Sequence, residues 1–340
     1  MMRIAVDGMG GDYAPQSTVE GAVEAANDFD LDVVIVGQEH IIKKELQKHK
    51  VTAGRLFVQH ASEVVNMSDS PVTAVKKKKD SSISVCIDLL KKKEVNAVVS
   101  AGNTGAVVAA ASLKLGCLCG IKRPGIAISM PTIRGVSILM DVGATIDSRP
   151  EHLLQYAIMS DIYARAIHKK VRPTIGLLNI GEEESKGTEL LKETYRLLRD
   201  SKLNFIGNIE GRDIFSGKSD CIICDGFVGN VVLKVIESIA DTTIHILKRE
   251  LKKNIISQIG GLFLKAALNS WQKETDASEF GGVQLLGVDG AVIIGHGGSN
   301  TKAIKNAVKS ASQSVELEVN RHIVDEIKKQ EQVNNNNLKE

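Results

Sequence analysis

One pattern recurs along the whole chain and limits its possible folds: a short β-branched apolar run, a polar turn with glycine, then helical spacing. The apolar runs and their turns occupy residues 3–8, 33–37, 96–102, 136–145, 174–181, 203–211, 220–226 and 291–299. Runs that are apolar on both faces are typical of strands in a sheet that helices cover on both sides. The alternation therefore predicts an α/β fold with a mainly parallel sheet between two helical layers.

Helical spacing between these runs is clearest at residues 18–26, 106–115 and 188–199. Nearly every glycine-bearing polar loop follows a strand rather than a helix. Ligands of open α/β sheets bind beyond the carboxyl ends of the strands. The loops are therefore the first place to look for a functional site.

The composition excludes several function classes. The 340 residues carry a net charge of +2 and only 4% aromatic residues, so neither a polyanionic partner nor a base-stacking surface for nucleic acid is indicated. The Cys221–Cys224 pair has C-x-x-C spacing, but it lies inside an apolar run and is interpreted as two buried structural thiols. The first strand begins at Arg3, and no secretory signal precedes it, so a reducing cytoplasm is expected.

The loop SAGNTG (residues 100–105) is the strongest candidate anion site. It follows a strand and opens a helix, whose first N–H groups and dipole attract negative charge. Glycine allows close approach of the backbone, and hydroxyl and amide groups add donors. An ordinary N-cap is the plainer interpretation, but it accounts for only one polar residue. The residues proposed to bind are Ser100, Gly102, Asn103, Thr104 and Gly105.

Four further loops have the same architecture. Gly10, Gly11 and Asp12 follow the first strand, where a simple tight turn is an equal alternative. Lys186 lies at a predicted helix start, where a cation opposes the dipole unless an anion compensates it. The other candidates are Asp225 and Asn230 after one strand, and His296 and Ser299 after the last. No Walker A, G-x-G-x-x-G, G-x-S-x-G or H-E-x-x-H motif is present.

Two surface features remain. The lysine runs 76–79 and 91–93 are ordinary solvated faces if taken singly, and together suit an acidic protein partner. The pattern of residues 245–272 predicts an amphipathic helix pair split at Gly260–Gly261, either packed on the protein or on a second subunit, or dipping into a membrane interface. Its apolar face includes Ile259, Leu262, Phe263 and Trp271. Residues 1–330 are predicted to form one catalytic domain, followed by a disordered tail at 331–340.

Nine loops in this order resemble the bacterial phosphate acyltransferases, the acyl-carrier-protein:phosphate transacylases of phospholipid synthesis. The motifs are DGMGGD (7–12), KKDSSI (78–83), SAGNTGA (100–106), DVGAT (141–145), NIGEEESKG (179–187), GNIEGRD (207–213), CDGFVGNVVLK (224–234), FGGVQLLGV (280–288) and HGGSN (296–300). The resemblance implies an architecture related to phosphotransacetylases and isopropylmalate dehydrogenase. It also implies a homodimer, peripheral contact with the inner face of the cell membrane, and contact with the downstream glycerol-3-phosphate acyltransferase.

The implied reaction converts a long-chain acyl-acyl-carrier protein and inorganic phosphate to acyl phosphate and free carrier protein, without a metal or other cofactor. The site hypothesis places phosphate at Asn103, Thr104 and the backbone of Gly102, with Lys186 as its charge partner. Asn230 then donates to the thioester oxygen, while Asp225 and His296 orient groups or handle protons. The alternatives are a phosphate acyltransferase that uses short-chain acyl-coenzyme A, and a non-catalytic binding protein.

Overall fold

The structure, a computed structural model, describes residues 1–51, 54–253 and 281–337. Within these ranges eleven strands form one sheet. The strands are β1 (Arg3–Asp7), β2 (Asp32–Gly37), β3 (Leu56–His60), β4 (Ala97–Ser100), β5 (Gly125–Thr132), β6 (Gly135–Met140), β7 (Thr174–Leu178), β8 (Asn204–Ile209), β9 (Cys221–Ile223), β10 (Val283–Leu286) and β11 (Ala291–Ile294). Each of the eight predicted strand runs contains one of them.

The helices predicted at 18–26, 106–115 and 188–199 agree with α1, α5 and α7 to within two residues at each end. The described ranges contain ten helices. They are α1 (Gln16–Asp28), α2 (Glu39–Leu46), α3 (Pro71–Lys77), α4 (Ser82–Lys91), α5 (Thr104–Lys114), α6 (Pro150–His168), α7 (Glu189–Arg199), α8 (Gly226–Leu251), α9 (Thr301–Glu316) and α10 (Val319–Asn337). None of these helices combines the length and the apolar character that a membrane span requires.

The sheet lies between two helical layers, which confirms the three-layer α/β/α prediction. Alternate side chains along each strand face opposite layers, as the period of two requires. Helices α4, α5 and α8 pack on one face. On the other face, α1 and α9 cover β1, β2, β4 and β11, and α6 and α10 cover β6, β7 and β9.

Strand direction reverses in the middle of the sheet, and this reversal determines where the loops emerge. The order is β3-β2-β1-β4-β11-β10-β5-β6-β9-β7-β8. Both neighbours of β10 run antiparallel to it, and β5 is antiparallel to β6. Strands β1–β4 and β11 therefore run one way, and β6–β9 run the other.

Neither β5 nor β10 was predicted from the sequence. Strand β10 is four residues long and carries a buried glutamine, Gln284, whose amide donates to Ser314 Oγ at 3.0 Å. Strand β5 (GIAISMPT) contains glycine, serine and proline, all of which weaken the strand pattern. Within the described ranges the sheet has three antiparallel strand pairings, all involving β5 or β10, and seven parallel ones, so the prediction of a mainly parallel sheet is confirmed.

The C-terminal tail also differs from the prediction. Helix α10 continues to Asn337, whereas a disordered tail was expected from residue 331. Extending an existing helix adds one hydrogen bond per residue without a new nucleus, so an asparagine-rich end can continue it. Of the amphipathic segment 245–272, the part up to Leu251 completes α8. Ile259, Leu262, Phe263 and Trp271 lie outside the described residues.

Candidate functional site

Three loops meet at the carboxyl ends of neighbouring parallel strands β1, β4 and β11. These loops, residues 7–12, 100–105 and 295–300, are called the first loop cluster below. The Asp12 N–H donates to the Gly297 carbonyl at 2.8 Å, and the Gly295 N–H donates to the Ser100 carbonyl at 2.8 Å. The Ser17 hydroxyl donates to the carbonyl of Ser299, which is itself buried. The cluster therefore brings together seven of the candidate residues named from the sequence: Gly10, Gly11, Asp12, Ser100, Gly102, His296 and Ser299.

Asp7 organises the first loop cluster from inside. Its fully buried carboxylate accepts hydrogen bonds from Ser100 Oγ at 2.7 Å and from the Met9 N–H at 3.1 Å. Ser82 and the Gly10 N–H also donate to it. Burial raises the pKa of Asp7, and the hydrogen bonds oppose that rise.

Close backbone approach requires glycine at position 10. A Cβ atom there would lie 2.5 Å from Asp7 Oδ2 and 2.7 Å from the Gly102 nitrogen. Gly11 has a φ of +106°, a conformation that disfavours other residues. The two glycines thus allow the loop after β1 to lie directly against the loop after β4.

The Asn103 side chain is structural, contrary to the sequence hypothesis. Its Oδ1 accepts from the Ala106 N–H at 3.0 Å and caps α5. Its Nδ2 donates to the carbonyls of Met67 at 3.0 Å and Asp69 at 3.2 Å, which ties the 66–69 loop to the cluster. Both polar atoms of the amide are occupied, so the plainer N-cap interpretation is correct for this residue.

Ser100 is occupied in the same way, because its hydroxyl donates to Asp7 and accepts from the Gly102 N–H at 3.1 Å. The accessible donors at the start of α5 are different ones. Thr104 is exposed, and in the described chain neither its hydroxyl nor the N–H groups of Thr104 and Gly105 have a hydrogen-bond partner. These groups sit at the positive end of the helix dipole and suit an anion.

His296 adds an exposed donor to the first loop cluster. Its Nδ1 accepts from the Gly298 N–H at 3.1 Å, so the neutral ring carries its proton on Nε2. Asp12 is also exposed, and its carboxylate lies beside Gly297. A carboxylate repels an anion, so Asp12 is better suited to hold the loop than to bind phosphate.

A second loop cluster forms where β6, β7 and β9 end, from residues 141–149, 179–187 and 224–230. Buried Asp141 is its counterpart of Asp7. The carboxylate accepts from the N–H groups of Ile126, Gly143, Ala144 and Thr145 at 2.9–3.0 Å. Burial raises the pKa of Asp141 as well.

Helix α8 starts directly against this second carboxylate. A Cβ at Gly229 would collide with the Asp141 carbonyl oxygen, and one at Gly226 would collide with the Thr145 carbonyl. Asp225 caps the helix, with Oδ1 accepting from Phe227 at 3.0 Å and Val228 at 2.9 Å. The Gly226 N–H donates to Thr145, so the first N–H groups of α8 are all occupied, unlike those of α5. The carboxylate of Asp225 is thus committed to the helix start.

Asn230 and Lys186 are accessible polar side chains of the second loop cluster. Asn230 is exposed beside Gly143, and its amide makes no hydrogen bond to a described residue. Lys186 is exposed in the turn before α7 and forms no ion pair with a described residue. Both can therefore contact a ligand.

The two clusters are not in contact with each other. Because β4 and β6 run in opposite directions, the loops that follow their carboxyl ends emerge at opposite ends of the strands of the sheet. No hydrogen bond or ion pair joins the clusters within the described ranges. The structure thus separates Lys186 from the anion site at α5 with which it was expected to act.

Sequence analysis assigned no role to Asp7 or Asp141, although both belong to quoted motifs. The detectable signal is an aspartate directly after an apolar run and before glycine, in DGMGGD and DVGAT. A carboxylate there can accept the N–H groups of its own turn. Sequence reasoning also missed Lys122, Arg123, Arg149 and His152, which line one groove; the signal is arginine before proline at 123–124 and 149–150.

The cysteine pair is structural, as predicted. Cys221 and Cys224 are buried on opposite faces of the sheet, and burial raises the pKa of both thiols well above the usual value. Among the described residues, no group of three or more His, Cys, Asp or Glu side chains is arranged to hold a metal ion.

The lysine run 76–79 is only partly available to a partner. Lys78 forms an ion pair with Asp69 at 2.6 Å and donates to the Val64 carbonyl at 2.8 Å. The other three lysines are exposed, as are those at 91–93. The two runs flank α4, whose ten residues span about 15 Å.

Known proteins similar to this chain agree on the family. Residues 2–322 match the family described as fatty acid synthesis protein. Phosphate acyltransferase from Dictyoglomus turgidum is 51% identical over 330 residues, covering 96% of this chain and 98% of that protein. Phosphate acyltransferase from Geobacter sulfurreducens is 47% identical over 326 residues, covering 96% and 94%.

Solved structures show the same fold at low identity. A phosphotransacetylase from Streptococcus pyogenes superimposes with a TM-score of 0.59 at 17% identity, covering 93% of this chain and 94% of that one. A 4-hydroxythreonine-4-phosphate dehydrogenase from Klebsiella pneumoniae gives 0.51 at 11% identity, covering 93% and 98%. With relatives near 50% identity along almost the whole chain, the protein belongs to the phosphate acyltransferase family of enzymes.

Proposed function

We propose that the enzyme transfers a long-chain acyl group from acyl-carrier protein to inorganic phosphate, and that the acyl phosphate serves phospholipid synthesis. A phosphate oxygen attacks the thioester carbonyl, the C–S bond breaks, and the leaving thiolate takes up the proton lost from phosphate. A thiolate is a good leaving group, so catalysis consists mainly of holding the reactants together and stabilising the oxyanion.

The observation that carries this proposal is the start of α5. Thr104 is exposed there, and its hydroxyl and two N–H groups have no partner among the described residues, at the positive end of a helix. A phosphate dianion supplies the acceptors and the charge that this arrangement lacks. We place the nucleophile at this position.

His296 is suited to donate a hydrogen bond to the acyl thioester that phosphate attacks. Its loop is hydrogen-bonded to the loop after β1, the residue is exposed, and Nε2–H has no partner among the described residues. A donor here stabilises charge on the thioester oxygen or protonates the leaving sulfur. Asn230 and Lys186 lie in the second loop cluster, and we assign them to the acyl donor rather than to phosphate.

Short-chain acyl-coenzyme A is the competing donor. Exposed lysines at 76, 77, 79 and 91–93 favour a strongly acidic carrier protein. The deciding experiment measures phosphate-dependent thiol release from long-chain acyl-acyl-carrier protein and from short-chain acyl-coenzyme A. Preference for the carrier substrate supports the proposal, and preference for coenzyme A contradicts it.

We also propose a homodimer in which a second copy covers α8. Phe227, Val231, Val235 and Ile239 project at helical spacing and are 48–61% exposed, beside a groove of about 360 Å³. Burying such a stripe against its symmetry mate removes apolar surface from water. Val235→Asp should then shift the sedimentation coefficient from dimer to monomer. An unchanged dimer contradicts this assignment.

Peripheral membrane contact is the remaining part of the proposal, and we assign it to Phe263 and Trp271. Large apolar side chains on an amphipathic segment favour a membrane interface. Replacement of both by serine should release the protein from sedimenting liposomes. Unchanged sedimentation contradicts the assignment.

A further inference from the structure

A groove of about 470 Å³ lies outside the residues that the proposed chemistry uses. It is bounded by the loop before β5 and by the loop between β6 and α6. Its lining consists of Lys122, Arg123, Asp147, Arg149, Glu151 and His152. Nothing in the acyl transfer described above assigns this groove a ligand.

The cations of the groove are only partly neutralised. Lys122 pairs with Glu151 at 3.3 Å. The Glu151 carboxylate accepts a hydrogen bond from the backbone N–H of the same residue, which lowers the pKa of Glu151. Lys122 lowers that pKa further. Arg123 and Arg149 are exposed and form no ion pair with a described residue, while Asp147 supplies the one remaining negative charge. The groove therefore keeps a net positive charge.

His152 adds a hydrogen-bond donor to the groove. It is only 6% exposed, and its Nδ1 accepts from the Arg149 N–H at 3.1 Å. Burial lowers the pKa of the imidazole, although Glu151 opposes this, and the three neighbouring cations lower it further. The neutral ring thus carries its proton on Nε2, which has no hydrogen-bond partner among the described residues. Because His152 lines the groove, this N–H is available to a ligand there.

We propose that this groove binds a phosphate-type oxyanion, held by the guanidinium groups of Arg123 and Arg149 and by the Nε2–H of His152. Arginine forks match the geometry of phosphate oxygens. The N-terminus of α6 begins at Pro150 and adds the positive end of its dipole.

The position of the groove points to the acyl donor as the source of the oxyanion. Thr145 Oγ1 donates to the Pro124 carbonyl at 3.3 Å, and the Thr145 carbonyl accepts from Gly226 at 3.2 Å. The groove therefore shares Asp147 and Arg149 with the second loop cluster, to which Asn230 also belongs. This choice of source rests on the proposed function; oxyanion binding itself does not.

The test measures binding rather than turnover, so its outcome is independent of the thiol-release assay. Full-length protein is titrated calorimetrically with inorganic phosphate and with 4′-phosphopantetheine. The Arg123→Gln/Arg149→Gln double variant is compared with Arg134→Gln, which removes an exposed arginine from the β5–β6 turn at the other edge. An unchanged thermal midpoint shows that each variant is folded.

The double variant should weaken phosphopantetheine binding by about tenfold or more, the loss of one or two charge-assisted hydrogen bonds, while Arg134→Gln leaves it unchanged. Weakened binding of inorganic phosphate alone also supports an oxyanion site, and then identifies the free ion as its source. Equal affinities in wild type and double variant, or binding of neither ligand to the wild type, overturn the proposal.

Discussion

Ser100 Oγ donates a 2.7 Å hydrogen bond to Asp7 Oδ2, and this bond joins the carboxyl ends of two neighbouring parallel strands. Asp141 has the same structural role in the second loop cluster, where its carboxylate accepts hydrogen bonds from four backbone N–H groups. Each glycine-rich cluster is thus built around one buried carboxylate. The accessible groups of the clusters, Thr104 and Asn230, are positioned by loops that these two aspartates fix.

Replacement of Asp7 should therefore be costly, and the cost should depend on pH. Asp7→Asn puts an amide N–H₂ among four donors, so the free energy of unfolding should fall by about 1–3 kcal/mol. Burial raises the folded pKa above the ordinary 3.8. The carboxyl's stabilisation is then complete below pH 3.8 and declines as the pH rises through the folded pKa.

Urea unfolding of both proteins at pH 7 and near pH 4.5 checks this expectation. The difference between wild type and Asp7→Asn should be larger at the lower pH. A difference that shrinks on acidification would mean that the folded pKa is depressed instead.

Gly229→Ala should destabilise the enzyme more than any other glycine substitution in α8. The new Cβ would overlap the Asp141 carbonyl oxygen, a backbone atom that cannot turn away. Overpacking of this kind costs about 1–3 kcal/mol or more. Gly211→Ala is the matched control, since its Cβ meets nothing within 4 Å. Thermal unfolding of the two variants should differ, and equal midpoints would show that α8 moves freely away from Asp141.

The sequence predicted the layers of the fold well because buried strands and amphipathic helices are local patterns. It predicted the site less well because strand direction is not local. Two strands, β5 and β10, reverse the second half of the sheet, so Lys186 and Asn230 lie at the opposite end of the strands from the first loop cluster. Their own residues, such as Gln284 and Pro131, give a weak strand signal.

Side-chain roles were hardest to predict where one residue suits two tasks. Asn103 has the composition of a phosphate ligand and of an N-cap alike, and the choice depends on the distant 66–69 loop that its amide holds. Asp225 presents the same ambiguity at α8. The spacing of residues in the sequence does not show which distant group will be the hydrogen-bond partner of such a side chain.

Asn103 and Thr104 should accordingly separate stability from phosphate binding. Asn103→Ala removes the α5 cap and should lower the free energy of unfolding by about 1–2 kcal/mol. Thr104→Val keeps the shape but loses an exposed hydroxyl, and the KM for phosphate should rise about 5–10-fold. Steady-state kinetics and urea unfolding of both variants check this. A Thr104→Val enzyme with normal phosphate dependence would remove the hydroxyl from the anion site.

Substitution of Lys186 or Asn230 should weaken binding of the acyl donor and leave binding of phosphate unchanged. Asn230→Ala and Lys186→Ala should each raise the KM for acyl-carrier protein about tenfold, with the KM for phosphate unchanged. Both side chains are exposed, so thermal stability should be retained. A lower kcat with an unchanged donor KM for Asn230→Ala would instead place its amide at the thioester oxyanion, as the sequence hypothesis had it.

The lysines of the run 76–79 should have two different roles, one in docking of the carrier protein and one in stability of the fold. Lys77→Glu reverses an exposed charge and should raise the KM for the acidic carrier at low salt, with the effect disappearing as salt screens it. Lys78→Met should leave that salt dependence unchanged but lower stability, because it breaks the bonds to Asp69 and Val64. Lys43→Glu, an exposed position on α2, is the control for non-specific charge effects. Equal salt dependence in Lys77→Glu and Lys43→Glu would show that the carrier does not dock at this run.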